Sequence, residues 1–414
     1  CGASRYSLLT GRSPHNSRVM ANNGLYQGKS KLSASYNDKA QSLPELFKRS
    51  GYKTACIGKI SHQPDGKVFS YDGKGLGLPE LPHAWDEYLT PYGVWKRGWG
   101  TFFAYANGRH RFGRNGMGNN ALMEFIAQKD TDLPDGMLAE TAMQQLAKWK
   151  DERFFMGLGF YKPHLPFVAP KQDWDAFEGL DIPNPQNVNK PETGYHASRA
   201  IHKYKNSIAK KNSMTPELQR NSRRAYLACV RYIDRQIGKV LKKLKELDLE
   251  KNTIVVVWGD HGWFLGDMQM WGKHSVMEEA NRSVFMIKVP GEKSFKSSAL
   301  VDTIDIYPTL LDYCKPKDQS TRFPLDGLSQ RPVISGQEKS VRDMAVSYWS
   351  GCLSIRTDTH RLIINKKTSE NFLYEMNSGF TLTENIAATK PELVERIKKT
   401  YVSHFGPRGQ KKKK

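Results

Sequence analysis

No apolar run in this chain approaches the roughly 20 residues needed to cross a bilayer, and mean hydropathy is −0.62. A membrane-spanning helix is therefore not expected. Cysteine is scarce, five in 414 residues, with no C-x-x-C pair. That excludes a disulfide-built scaffold and gives no zinc motif; at most two bridges could form. Acidic charge is in short supply, with 42 Asp and Glu against 63 Lys and Arg, leaving a net charge of +21. Such a surplus attracts polyanions, whether nucleic acid, anionic membrane or sulfated or phosphorylated glycans, without choosing among them. Helix-turn-helix, RRM-type and zinc-finger patterns are lacking, so no specific nucleic-acid partner is expected. Internal repeats are lacking too. The one low-complexity block is Lys411–Lys414, read as a solvated tail. The chain opens on Cys rather than Met, with no signal peptide in view; the expectation is a cut precursor or a fragment.

What is present suits a large α/β body followed by a smaller unit. Ser42-Leu-Pro-Glu45 predicts a capped helix start, and 52–57 a short strand. Residues 61–135, rich in Gly, Pro and aromatics, read as long surface excursions. Spacing predicts helices over 138–149 and 216–247, the latter from Tyr226, Cys229, Val230, Ile233, Ile237, Val240, Leu241, Leu244 and Leu247. Residues 165–214 read as an irregular insertion. Ile254–Trp258 is apolar on both faces, the pattern of a central strand. A strand over 283–289 and a helix over 302–311 follow. After about residue 340, short alternating segments at 345–348, 353–357, 360–364 and 371–374 predict a small antiparallel sheet, closed by a helix over 391–401.

Five short segments carry chemistry. Cys1-Gly2-Ala3-Ser4-Arg5 runs on to Leu9-Thr10-Gly11-Arg12. Gly58-Lys59-Ile60-Ser61-His62 offers a fixed positive charge and a histidine able to move protons near neutrality. Lys162-Pro163-His164-Leu165-Pro166-Phe167 follows an apolar strand, and its prolines hold the chain extended around His164. Asp260-His261-Gly262-Trp263 stands at the carboxyl end of a predicted buried strand, where open α/β sheets place ligands. Its carboxylate and imidazole can both ligate a divalent cation. Trp271-Gly272-Lys273-His274-Ser275 puts a second lysine 13 residues beyond Asp260. Taken singly, each has an ordinary alternative: a solvated lysine at a strand end, a packed loop histidine, a cap.

In this order, the segments resemble the type I, formylglycine-dependent sulfatases of the alkaline-phosphatase-like superfamily. The resemblance runs to about residue 380, ending near Leu373-Tyr374-Glu375 and Thr383-Glu384-Asn385. Within the family, the GK-x-x-H, KPH-x-PF and DHGW elements are closest to iduronate-2-sulfatase-like enzymes. The resemblance implies an alkaline-phosphatase-like sandwich, with a large mixed, mostly parallel sheet between helices and a small C-terminal antiparallel sheet with a helix. It divides the chain into a catalytic domain over 1–340, a subdomain over 341–407 and a basic tail over 408–414. The implied activity is hydrolysis of a sulfuric ester on a sulfated sugar or polysaccharide, in a periplasmic, secreted or lysosomal setting.

The same resemblance assigns roles. Cys1 would be converted to Cα-formylglycine by a formylglycine-generating enzyme, and its hydrate would be the nucleophile. Ca²⁺ would be held by the group at residue 1, Asp260 and His261. Arg5 would help stabilise the ionised hydroxyl. Lys59 and Lys273 would hold the sulfate oxygens. His164, together with Lys273, would protonate the leaving alcohol, and His62 would act as base on the second hydroxyl. Two departures stand against the pattern. The family carries an Asp-Asp metal pair on a strand upstream of the cysteine, so a gap in both sheet and metal site is expected. Met268 replaces a polar residue expected near the substrate. The rivals are a non-catalytic polyanion-binding protein on a degenerate sulfatase fold and a phosphoesterase or phosphonate hydrolase of the same superfamily.

Overall fold

The computed structural model describes residues 1–22, 32–33, 35, 37–111, 120–185, 189–195, 201, 204, 214–376 and 384–406. Thr383 and the 408–414 tail lie outside the described residues.

The chain begins with helix α1 (Gly2–Thr10), followed by α2 (Leu43–Arg49) and strand β1 (Lys53–Gly58). Gly2 is required by close approach, since a Cβ there would fall 2.3 Å from the Asn22 backbone. Ser42 does precede α2, but its hydroxyl makes no cap hydrogen bond. Glu45 instead reaches back to accept from the Gln41 N–H at 2.9 Å, so the acidic half of the expected box closes on a different donor.

Strand β2 (Glu87–Tyr88) pairs in parallel with one edge of β1. Helix α3 (Pro134–Lys148) leads into β3 (Phe154–Gly159), which pairs in parallel with the other edge over six residues. The long helix α4 (Pro216–Glu246) starts at a Thr215 cap and packs through Ala225, Ala228, Cys229 and Tyr232. It leads into β4 (Val255–Trp258), which pairs antiparallel with β5 (Phe285–Lys288). Helix α5 (Ile306–Cys314) completes the body. The whole is a mixed, mostly parallel core sheet flanked by helices, the alkaline-phosphatase-like sandwich.

The sheet is open at its centre. Among the described residues, β3 pairs only with β1 and β4 only with β5. Between them lies a cavity of about 1640 Å³, lined by both strands, by Leu8 and Leu9 of α1, and by Ile233, Ile237 and Val240 of α4. The residues of β3 and β4 are consequently only half-buried, although their sequences are those of core strands.

Beyond residue 340, strands β6 (Ala345–Trp349), β7 (Cys352–Arg356), β8 (His360–Asn365) and β9 (Asn371–Glu375) form an antiparallel meander. Side chains alternate across it. Leu353, Ile355, Leu362 and Leu373 face helix α6 (Pro391–Phe405), which covers them with Val394, Ile397 and Tyr401. Ile363, Phe372 and Tyr374 face the main body, meeting Phe264, Met270, Val276 and Met277. Met268 is buried in that same cluster. It faces the core rather than a substrate, so the expectation built on it does not hold.

The reading of 61–135 as surface excursions is also corrected. Trp95, Trp99, Phe102, Phe103 and Tyr105 are all 3% exposed or less. Their apolar area drives them against α3 and β1, where Trp99, Phe102 and Phe103 join Ala55, Ile57 and Leu138 in one cluster.

Candidate active site

The site grows from the N-terminal end of α1 and the carboxyl ends of β1, β3 and β4. Cys1 is the residue before α1, and its Sγ lies 3.1 Å from His261 Nε2 and 3.0 Å from Lys273 Nζ. Arg5 is one turn further along α1. Its Nε donates to Asp260 Oδ2 at 2.8 Å, while Nη1 donates to the carbonyls of Lys59 and, at 3.1 Å, Ile60. One guanidinium thus ties α1 to the ends of β4 and β1. Lys59 follows Gly58, whose φ of 72° lies in the left-handed region and whose missing Cβ would meet the Gly159 carbonyl at 2.3 Å. That turn sends Lys59 inward, where its Nζ donates to the His62 carbonyl and sits 4.8 Å from the Phe102 ring centre.

Cys1, Lys59, His62, His164, Asp260, His261 and Lys273 line one cleft of about 2200 Å³. Arg5 instead lines the neighbouring cavity between β3 and β4. The members are not equally close. Asp260, His261 and Cys1 offer donor atoms within 4.8 Å of one another, a set able to hold a metal ion. His62 stands apart, with Nε2 3.2 Å from Tyr71 Oη and its ring against Trp99. The His164 ring lies tilted against Phe102, 4.5 Å between centres, its Nδ1 2.6 Å from the Leu165 carbonyl.

Electrostatics follow from burial. Burial alone would raise the Asp260 carboxyl, but Arg5, His261 and Lys273 hold it well below the usual carboxylate range. Burial pushes His261 down to about 3 despite Asp260. Its Nδ1 lies 2.8 Å from the Gly262 carbonyl, so Nδ1 carries the proton and Nε2 turns its lone pair towards Cys1. Burial, then Lys59, takes His62 to about 2. Burial, then Lys273, holds His164 well below its ordinary value. Burial lowers both lysines, with Arg5 adding to the effect and Asp260 partly offsetting it at each. All three imidazoles are therefore neutral at pH 7.

Several contributors are not legible in the motifs. Glu80, 4% exposed, accepts from Ser61 Oγ and from the Gln63 N–H, pinning the loop between Lys59 and His62. Its carboxyl is pushed by burial up to about 7. Tyr71, Trp99, Phe102 and Phe103 form an aromatic wall beside the two histidines. Only their density in 61–135 could have signalled it.

The protein-family model described as Sulfatase matches residues 1–315. The chain belongs to the sulfatase family. Among related sulfatases, one from Formosa agariphila is 30% identical over 328 residues, covering 75% of this chain and 59% of the relative. Mouse iduronate 2-sulfatase is 30% identical over 306 residues, covering 70% and 51%. The chain thus spans about half to three fifths of the length of these relatives. In three dimensions it is similar to the phosphonate monoester hydrolase of Agrobacterium radiobacter, with a TM-score of 0.72, 18% identity, and coverage of 97% of this chain and 85% of that one. A protein solved with its substrate D-glucosamine-2-N,6-O-disulfate gives a TM-score of 0.68 at 19% identity, covering 100% and 90%. At these identities the two structures speak for the fold alone.

Proposed function

We propose that the protein removes sulfate from a sulfated sugar, in the manner of iduronate-2-sulfatase-like enzymes, with residue 1 as the reacting position. The observation that carries this reading is the setting of Cys1, with a lysine ammonium and a neutral histidine both within about 3.1 Å of its Sγ. Conversion to formylglycine, together with Ca²⁺, would supply an oxygen nucleophile and a counter-charge at this point. The donor set fits such an ion, with an ionised Asp260 and a lone pair on His261 Nε2, although imidazole is the less usual partner for calcium. The unfilled position between β3 and β4 runs up to Cys1, Asp260 and His261. A strand seated there would bring the further carboxylates that the family resemblance implies.

The chain's own residues then divide the work. Lys59 and Lys273 hold the sulfate oxygens and offset charge growing on them. Arg5 keeps Asp260 ionised and oriented. His62, hydrogen-bonded to Tyr71, is the base that the family resemblance assigns to the second hydroxyl, a role that its low proton affinity in this cleft opposes. On the leaving side, His164 and Lys273 are the candidate proton donors to the departing alcohol. The +21 net charge favours a polyanionic substrate. The alternative, a polyanion binder without turnover on the same fold, draws on the same surplus of positive charge.

Peptide mass of residue 1 in protein co-expressed with a formylglycine-generating enzyme tests the reading. Conversion lowers the mass by about 18 Da by atom count, as covalent catalysis by this group requires. Parallel assays on an aryl sulfate and an aryl phosphate then separate sulfatase from phosphoesterase. An unmodified thiol and no turnover of either ester would leave the binder.

A further inference from the structure

Several cations line the cleft without a part in the chemistry above, and Arg111 is one of them. Arg111 lines it together with Lys59, His62, His164 and Lys273, and is only 9% exposed. Its guanidinium lies 3.6 Å from the centre of the Phe103 ring. The other side of that contact leads straight to the reacting groups, since Phe103 is 6.1 Å, centre to centre, from His164. Nη1 donates to Tyr204 Oη at 2.8 Å. Nε is buried with no hydrogen-bond partner, and no carboxylate pairs with the guanidinium among the described residues. Of the other deeply buried arginines, Arg361 pairs with Glu278 and Arg342 with Asp305, while Arg12, away from the cleft, stacks on Phe323 and donates to Tyr6 Oη and the Asn16 carbonyl.

A buried cation without a counter-ion is costly. Stacking on Phe103 and one phenolic hydrogen bond recover only part of that cost. The remaining demand is for an anion with planar or trigonal oxygens, which an arginine fork suits. Lys59 and Lys273 already match the ester sulfate. Arg111, one aromatic ring away from His164, stands where a second group on the same sugar would reach.

We infer that Arg111 is a specificity residue, binding a second anionic group, carboxylate or sulfate, on the sugar whose ester sulfate sits at Lys59 and Lys273. This rests on the sulfated-sugar reading but adds to it a prediction about substrate charge. The buried rings of Trp99, Phe102 and Phe103 link the two cations, with Lys59 against the first two and Arg111 against the third.

Binding is measured by calorimetry in a Cys1→Ala background, so that neither maturation nor turnover intervenes. Three probes are compared: N-acetylglucosamine 6-sulfate, glucosamine N,6-disulfate and iduronate 2-sulfate. With Arg111 in place, at least one doubly charged sugar binds about ten- to a hundredfold tighter than the singly charged one, the range for a charge-assisted hydrogen bond. Which one does so separates a second sulfate from a carboxylate. Arg111→Gln abolishes that preference, and Arg111→Lys restores part of it. An unchanged preference in Arg111→Gln, an equal loss for all three probes at unchanged melting temperature, or no preference to begin with overturns the inference. Hydrolysis of 4-nitrophenyl sulfate by the matured protein is scored separately. Its failure would count against the sulfatase reading, while the binding comparison still decides the role of Arg111.

Discussion

Arg5→Lys is the most informative single substitution. The side chain keeps its charge but loses its fork. In the structure, Arg5 makes an ion-paired hydrogen bond to Asp260 and two hydrogen bonds to the Lys59 and Ile60 carbonyls, with both charged partners 13% exposed. A lysine ammonium cannot span acceptors on two strand ends at once. Losing two such bonds at about 1.5–3 kcal/mol each, with part regained by the ammonium, leaves a net cost of about 3 kcal/mol. An unfolding entropy of about 2.1 cal/mol/K per residue, over 414 residues, comes to about 0.9 kcal/mol/K. The melting temperature should therefore fall by only about 3–4 °C, whereas the urea midpoint should move clearly. Because Asp260 loses its fixed orientation, calcium affinity measured by titration should fall with stability. Arg5→Ala should cost more, about 3–5 kcal/mol, because it strands the buried carboxylate. A lysine variant matching wild type in both urea midpoint and calcium affinity would refute the claim that this fork holds the two strand ends together.

Two further outcomes follow from burial. His62 is held neutral, at about 2 against an ordinary 6.5. Its stabilising contribution is complete above pH 6.5 and is lost as pH falls, at about 1.4 kcal/mol per pH unit, because only the unfolded chain takes up the proton. Glu80, raised to about 7, works in the opposite sense, being most favourable at low pH and losing its contribution as pH rises towards 7. The readout is therefore the difference between variants: between pH 6 and 5, His62→Gln should gain about 1.4 kcal/mol on wild type in urea unfolding, and parallel pH slopes would count against it. Glu278→Gln should cost about 3–5 kcal/mol, since it leaves the buried Arg361 guanidinium of the C-terminal sheet without its carboxylate. A urea midpoint unmoved by that change would show the pair to be dispensable.

Much of the fold is legible in the chain because its elements have clean periods. The long helix over 216–246 shows its apolar stripe directly. The C-terminal meander shows strict alternation because one face meets α6 and the other the main body. The failures come where local pattern and long-range packing part company. Ser42 looks like a cap, yet Glu45 satisfies Gln41 and leaves the serine hydroxyl buried without a partner. The aromatic stretch over 61–135 has no period at all, since its rings are recruited singly into the wall of the cleft and the core behind it. Met268 sits between residues of a motif but turns into the core.

The candidate site divides along the same line. Short segments displayed the residue types, because reactive groups at strand ends are set by local turns and need particular neighbours such as Gly2 and Gly58. The chain by itself therefore determined the family, the order of strands and helices, and which side chains could do chemistry. Tertiary structure alone decided how they stand. It brought Cys1 to His261 and Lys273 across some 260 residues of chain. It tied Arg5 to Asp260 and the Lys59 and Ile60 carbonyls and set Glu80 behind the loop between Lys59 and His62. It also stripped water from three histidines and two lysines, which moves their proton affinities by more than any neighbour in sequence could. Desolvation and charge proximity depend on what surrounds a group in space, and a linear pattern carries no record of that.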